Sequence, residues 1–191
     1  MCPNAVNAYN AIESPFLPYY RSVVKNDRIL SSMPNPQSWD PYCLKRSAAG
    51  ILGFILHSHV PSEQLLHIIY DQHRFGYLLD RKAACDIPAL SVLENAMNEV
   101  ISQQLRLDSM KISSHEAFLL FHHFPVKVAR ITSWNLQSIA CLHLLFINDF
   151  FDIIDGRCVS DAGSLSCVHL HEIRDIPNNS FLMILGSFNG S

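Results

Sequence analysis

The stretch SWNLQSIACLHLLFINDFFDIID, residues 133–155, decides the fold that this sequence predicts. Between positions 138 and 147 its side chains are almost all apolar, with His143 as the main interruption. Ser133 is a suitable helix N-cap, and Gly156 suits the position just after a helix end. The apolar run is too short to span a bilayer. Because a helix that is apolar on every side must be enclosed by other elements, we predict that this segment is the central helix of the core.

Four further helices are predicted outward from this segment. The apolar block that ends at His59 is long enough for a buried helix, although its period does not separate helix from strand over residues 50–60. Ser62 then suits the start of a new helix. The pattern after Pro88 repeats apolar residues at helical spacing, and Ser113 or Ser114 opens another helix that Pro125 ends. The predicted helices are 44–59, 63–79, 90–105, 115–124 and 133–155.

The two ends of the chain differ from this helical middle. Residues 1–42 hold six of the ten prolines together with many aromatic residues, which predicts an extended arm. Residues 166–173 and 181–188 favour strands and are separated by a Pro-Asn-Asn turn, which predicts a hairpin. The predicted fold class is therefore mainly α: a compact multi-helix bundle with a proline- and aromatic-rich arm (1–42), a helical core domain (43–160) and a small β element of the same domain (161–191).

Composition limits the class of partner. Hydrophobic residues make up 49% of the chain and charged residues only 16%, against about 25% charged in an average protein. Part of the surface is therefore expected to be apolar and to meet a protein partner or a second copy of the chain. The net charge of −3 argues against binding to nucleic acid. Six scattered cysteines and an N-terminus without a secretory pattern predict an intracellular, cytoplasmic protein, with a nuclear location left open.

The clearest candidate for chemistry is the His57-Ser58-His59 triplet. At a strand end, His57 and His59 would point to the same side and could share a zinc ion. The residues GFILHSHVPS resemble the metal-binding core of the JAMM-type deubiquitinating metalloproteases, in which HSHP is followed by Ser and Asp. This resemblance implies a zinc hydrolase. Val60 stands where that family has proline, and no Ser-x-x-Asp follows at the family's distance.

The same segment has a second resemblance. Its pattern GILGF-x5-VPSE, residues 50–63, is similar to a segment of the helical matrix protein of influenza-type viruses. This resemblance implies a helical assembly protein. Such matrix proteins are basic, whereas this chain is slightly acidic.

Two more groups could supply metal ligands. Asp149, Asp152 and Asp155 fall three apart at the end of the predicted central helix and could present carboxylates to Mg²⁺. His169 and His171 would share a face of a strand. The two histidine pairs could also combine into one zinc site.

Three functional hypotheses follow. The first is a non-enzymatic interaction or accessory protein, virus- or pathogen-encoded, that self-associates through apolar contacts and needs no cofactor. The second is a metal-dependent hydrolase that uses the His-x-His pairs and zinc. The third is a matrix-like assembly protein.

Overall fold

The fold combines helices with two β-sheets. The computed structural model describes residues 41–136, 142–176 and 180–188, all within the unit Pro36–Ser191. These ranges contain four α-helices and seven strands in two antiparallel sheets. The prediction of a mainly α, compact multi-helix bundle is therefore wrong, and the predicted helical core, 43–160, contains five strands. The predicted arm lies outside the described residues except for its last two positions, which begin a helix.

The helices and strands are labelled in chain order. The helices are α1 (Pro41–His57), α2 (Leu90–Ser102), α3 (Ser114–Phe121) and α4 (Pro125–Leu136). The strands are β1 (Leu65–Tyr70), β2 (Phe75–Asp80), β3 (Asp108–Ile112), β4 (Leu142–Ile147), β5 (Phe150–Ile154), β6 (Val168–Ile176) and β7 (Phe181–Phe188). Sheet 1 has the order β1-β2-β7-β6, and sheet 2 has the order β3-β4-β5.

Helix α1 is the centre of the core because it packs against strands of both sheets. Two glycines allow this close approach. A Cβ atom at Gly50 would collide with Leu145 of sheet 2. A Cβ atom at Gly53 would collide with Tyr77 of sheet 1 and lie 2.9 Å from the ring of Phe150 in sheet 2. The prediction of a buried helix before His59 is confirmed, and its apolar character on all sides follows from the two sheets that enclose it.

The segment that was predicted to be the central helix, 133–155, contains a β-hairpin instead. Its described part is the end of α4, then β4 and β5, which pair so that Ile147 lies opposite Phe150. Asn148 and Asp149 form the turn, and Asn148 has a φ of 54°, which suits a two-residue hairpin. Every residue of β4 is buried. A strand covered on both faces shows no polar alternation, which is why it resembled a helix.

The predicted helix 63–79 is also a hairpin, formed by β1 and β2. Asp71 shapes its loop: the carboxylate accepts hydrogen bonds from the backbone N–H groups of His73 and Arg74, both at 2.8 Å. Other predictions are confirmed. Helix α2 lies within the predicted range 90–105, Ser113 caps α3 in a capping box with Glu116, and β6 pairs with β7.

The C-terminal hairpin is part of sheet 1, where β7 lies between β2 and β6. Helix α2 packs on β6 and binds its backbone through two side chains. Asn98 accepts a hydrogen bond from the N–H of Val168 and donates one to its carbonyl, at 3.0 and 3.1 Å. Glu94 accepts from the N–H of Leu170 at 2.8 Å. The start of β6 is therefore paired with β7 along one edge and held by α2 along the other.

Candidate functional site

The structure places His57 and His59 at the end of α1, so the strand-end geometry assumed for them does not occur. His57 is in the last turn of the helix, and its ring meets that of Phe150 edge to face, with centroids 5.7 Å apart. Burial lowers the pKa of His57, and this effect exceeds the opposite one of nearby Asp149. His59 is exposed in the following turn. The ring of His57 therefore packs against an aromatic side chain, and burial favours its uncharged form.

Asp152 is the most deeply buried of the three aspartates and forms a polar cluster in the core. It projects from β5, not from a helix. Its carboxylate pairs with the ammonium group of Lys127 on α4, accepts from the hydroxyl of Tyr77 on β2 at 2.5 Å, and accepts from the N–H of Ile153 at 2.8 Å. The ammonium group also lies 5.3 Å from the ring centroid of Phe121. We call Lys127, Asp152 and Tyr77 the inner cluster.

The inner cluster is closed to solvent. Asp152 and Tyr77 have no exposed surface, and Lys127 is 4% exposed. Nearby, the pKa of His67 is lowered to about 3 by burial and by the positive charges of Arg130 and Lys127, so this ring is neutral at pH 7. Each charge of the cluster is matched by a partner, as a buried ion pair requires.

Asp155 lies just after β5 and forms a second cluster nearer the surface. It accepts from the hydroxyl of Tyr70 on β1 and pairs with Arg46 on α1, whose Nε lies 3.3 Å away. Arg46 is 5% exposed and also donates to the backbone carbonyl of Arg157 at 2.5 Å. Burial, followed by the hydrogen bond to Asp155, raises the pKa of Tyr70. Asp149 lies apart from both clusters, in the exposed β4–β5 turn.

The two clusters join the sheets. Tyr70 and Tyr77 of sheet 1 donate to Asp155 and Asp152 at β5 of sheet 2. The three aspartates therefore have three different surroundings. The partners were missed at the sequence level, because only the fold brings α1, α4 and sheet 1 to β5. A weak signal was available for Lys127, a single charge between two valines.

His169 and His171 are exposed on one face of β6, as predicted, and lie on a different element from His57 and His59. Their ring centroids are 4.9 Å apart. Within the described ranges, no group of three or more His, Cys, Asp or Glu side chains is arranged to hold a metal ion. Zinc or magnesium binding by the predicted residues stays a prediction.

The exposed apolar side chains supply a different kind of site. Five large hydrophobic residues are exposed in the described part of the chain, and three belong to the α3–α4 helix pair: Phe118 (46%), Leu119 (37%) and Leu136 (81%). The opposite side of α3 is buried, through Ala117, Leu120 and Phe121. We call Phe118, Leu119 and Leu136 the α3–α4 surface. Exposed apolar side chains that form a contiguous patch mark sites of interaction with other proteins.

The chain has no match among the family models or the curated proteins, so its function has to be inferred from this geometry. Among the helices that the structure describes, none is long and apolar enough to cross a membrane.

Proposed function

We propose that this chain is a non-enzymatic interaction protein that self-associates through the α3–α4 surface. The observation that carries the proposal is the exposure of Phe118, Leu119 and Leu136 on one helix pair. Aromatic residues such as Phe118 are enriched at interface cores, and a few residues buried in pockets on the partner carry most of the binding energy. The small net charge of the chain, −3, limits the electrostatic repulsion between copies.

Two features of the interior support a binding role over a catalytic one. The charged groups of the inner cluster are enclosed and neutralise one another, so they serve to hold α4 and both sheets together. His57 packs on an aromatic ring at the end of α1. We further propose an intracellular location, in the cytoplasm or nucleus, because Cys85, Cys158 and Cys167 are free thiols.

Light scattering coupled to size-exclusion chromatography tests the proposal. At micromolar concentration the protein should elute as a dimer or a larger assembly. The double variant Phe118→Ser/Leu136→Ser should elute as a monomer with unchanged circular dichroism. Val92→Ser is the matched control, since Val92 is 53% exposed on α2, outside the α3–α4 surface.

Two results would contradict the proposal. One is a monomeric wild-type protein across the whole concentration range. The other is an assembly that Val92→Ser dissociates as completely as the double variant does. If the wild-type protein is a monomer that binds a different protein through Phe118 and Leu136, the interaction role stands and the proposal of self-association is wrong.

A further inference from the structure

His169 and His171 lie side by side on the exposed face of β6. Two residues apart on a strand, they project to the same side of sheet 1. The register of β6 against β7 shifts between Leu170 and Glu172, so His171 sits at a β-bulge. The two rings are in contact, with their planes at 82° and their centroids 4.9 Å apart.

One nitrogen of each ring is held by a neighbouring side chain. His169 Nδ1 lies 2.7 Å from Glu94 Oε2. The same oxygen accepts the N–H of Leu170, so the carboxylate is itself fixed to the strand. His171 Nε2 lies 2.7 Å from the hydroxyl oxygen of Ser187 on β7. Metal-binding histidines characteristically hold their second nitrogen in this way, because the partner fixes the ring orientation and the tautomer.

These contacts leave His169 Nε2 and His171 Nδ1 as the nitrogens for a metal ion. A zinc–nitrogen bond of about 2.0–2.1 Å places the metal about 3.2 Å from each ring centroid. For bond angles between a right angle and the tetrahedral value, the two centroids would then lie about 4.5–5.2 Å apart. The observed separation of 4.9 Å falls within this interval.

We propose that His169 and His171 bind one divalent transition-metal ion, through Nε2 and Nδ1 respectively, with Glu94 and Ser187 orienting the two rings. Imidazole ligands favour zinc, nickel and copper over magnesium and calcium. Water would complete the coordination, since no third protein ligand is grouped with the pair among the residues that the structure describes. The site is therefore open and exchangeable, unlike a closed structural zinc site.

Titration calorimetry of the full chain with ZnCl₂ tests this inference. We expect one Zn²⁺ per chain at this site. His169→Ala and His171→Ala should each weaken its affinity at least tenfold. Glu94→Gln should weaken it by about 10- to 100-fold, the usual effect of losing such an orienting carboxylate. MgCl₂ should produce no binding heat.

Two other histidine pairs provide matched controls. His122 and His123 are an exposed pair just after α3, with ring centroids 3.6 Å apart. His57→Ala/His59→Ala and His122→Ala/His123→Ala remove the same number of imidazoles and should leave the affinity of this site within twofold of wild type. Urea unfolding of each variant would show that it folds. The inference is overturned if wild type binds no Zn²⁺ at one per chain, or if His169→Ala and His171→Ala retain wild-type affinity. The result is independent of self-association, because neither histidine belongs to the α3–α4 surface.

Discussion

Replacing Lys127 by methionine should destabilise the protein strongly, although the two side chains are similar in length. Lys127 is 4% exposed, and its ammonium group is the only full positive charge in hydrogen-bond contact with Asp152 among the described residues. The variant would leave the carboxylate buried without that charge. Removing one partner of a buried ion pair costs about 3–5 kcal/mol.

The structure favours the lower end of that range. Asp152 would keep two hydrogen bonds, from the hydroxyl of Tyr77 and from the N–H of Ile153. The methionine introduced by Lys127→Met would keep a contact with the ring of Phe121, since thioether groups pack well against aromatic rings. We therefore expect a loss of about 3 kcal/mol from the free energy of unfolding, out of a total of about 5–15 kcal/mol.

Urea unfolding followed by circular dichroism measures this loss. With a urea dependence of about 2 kcal/mol per molar, the midpoint should fall by about 1.5 M. Arg74→Met is the control, because the Arg74–Asp71 pair is exposed and should contribute at most about 1 kcal/mol. The double variant Lys127→Met/Asp152→Asn should be no less stable than Lys127→Met alone. Equal midpoints for Lys127→Met and Arg74→Met, or strictly additive losses in the double variant, would refute the account of the inner cluster.

Two further predictions concern α1 and β4. Gly53→Ala should lower the free energy of unfolding by about 1–3 kcal/mol, because the added methyl group overpacks against Tyr77 and Phe150. This loss should exceed the gain from the higher helix propensity of alanine. Thermal unfolding would show it as a lower melting temperature. His143, which is buried on β4, has its pKa lowered to about 4 from 6.5, first by burial and then by nearby cationic groups. The unfolded chain therefore binds more protons than the native state between these pH values, so stability should fall as the pH drops from about 6.5 towards 4. His143→Leu should make this fall smaller in urea midpoints measured across that range.

A control variant and two contradicting outcomes separate these two effects from a general loss of stability. Gly163→Ala is the control for Gly53→Ala, because a Cβ atom at Gly163 would meet mainly the flexible side chain of Gln104, which can move. A melting temperature for Gly53→Ala at or above that of wild type would show that α1 has room to move between the sheets. An unchanged pH dependence in His143→Leu would assign the acid sensitivity to other groups.

The sequence predicted those elements whose burial is one-sided or whose ends carry a local signal. Helix α2 has a clear apolar face, Ser113 and Glu116 form a capping box, and the β6–β7 hairpin has strand-forming residues on either side of a turn. These signals act between residues close in the chain, so they are readable without the fold.

The β4–β5 hairpin was not predicted, because the elements that bury it come from distant parts of the sequence. Complete burial of β4 removed the alternation that marks a strand, and the Asn148-Asp149 turn was the one local signal of a chain reversal. The spacing of Asp152 and Asp155 suggested helical neighbours. In the structure each finds its cation on a different helix, a relation that sequence spacing does not contain.

The pairing of β2 with β7 has a consequence for how the chain reaches this structure. Leu79 pairs with Leu182, more than a hundred positions later, whereas β1 and β2 are joined by a short loop. During synthesis the β1–β2 hairpin is complete long before β7 emerges from the ribosome. Until then β2 exposes an open row of backbone hydrogen-bonding groups. Pairing between strands so far apart in the sequence carries a loop-closure cost that slows folding. The nascent chain is most vulnerable to intermolecular strand pairing during that interval.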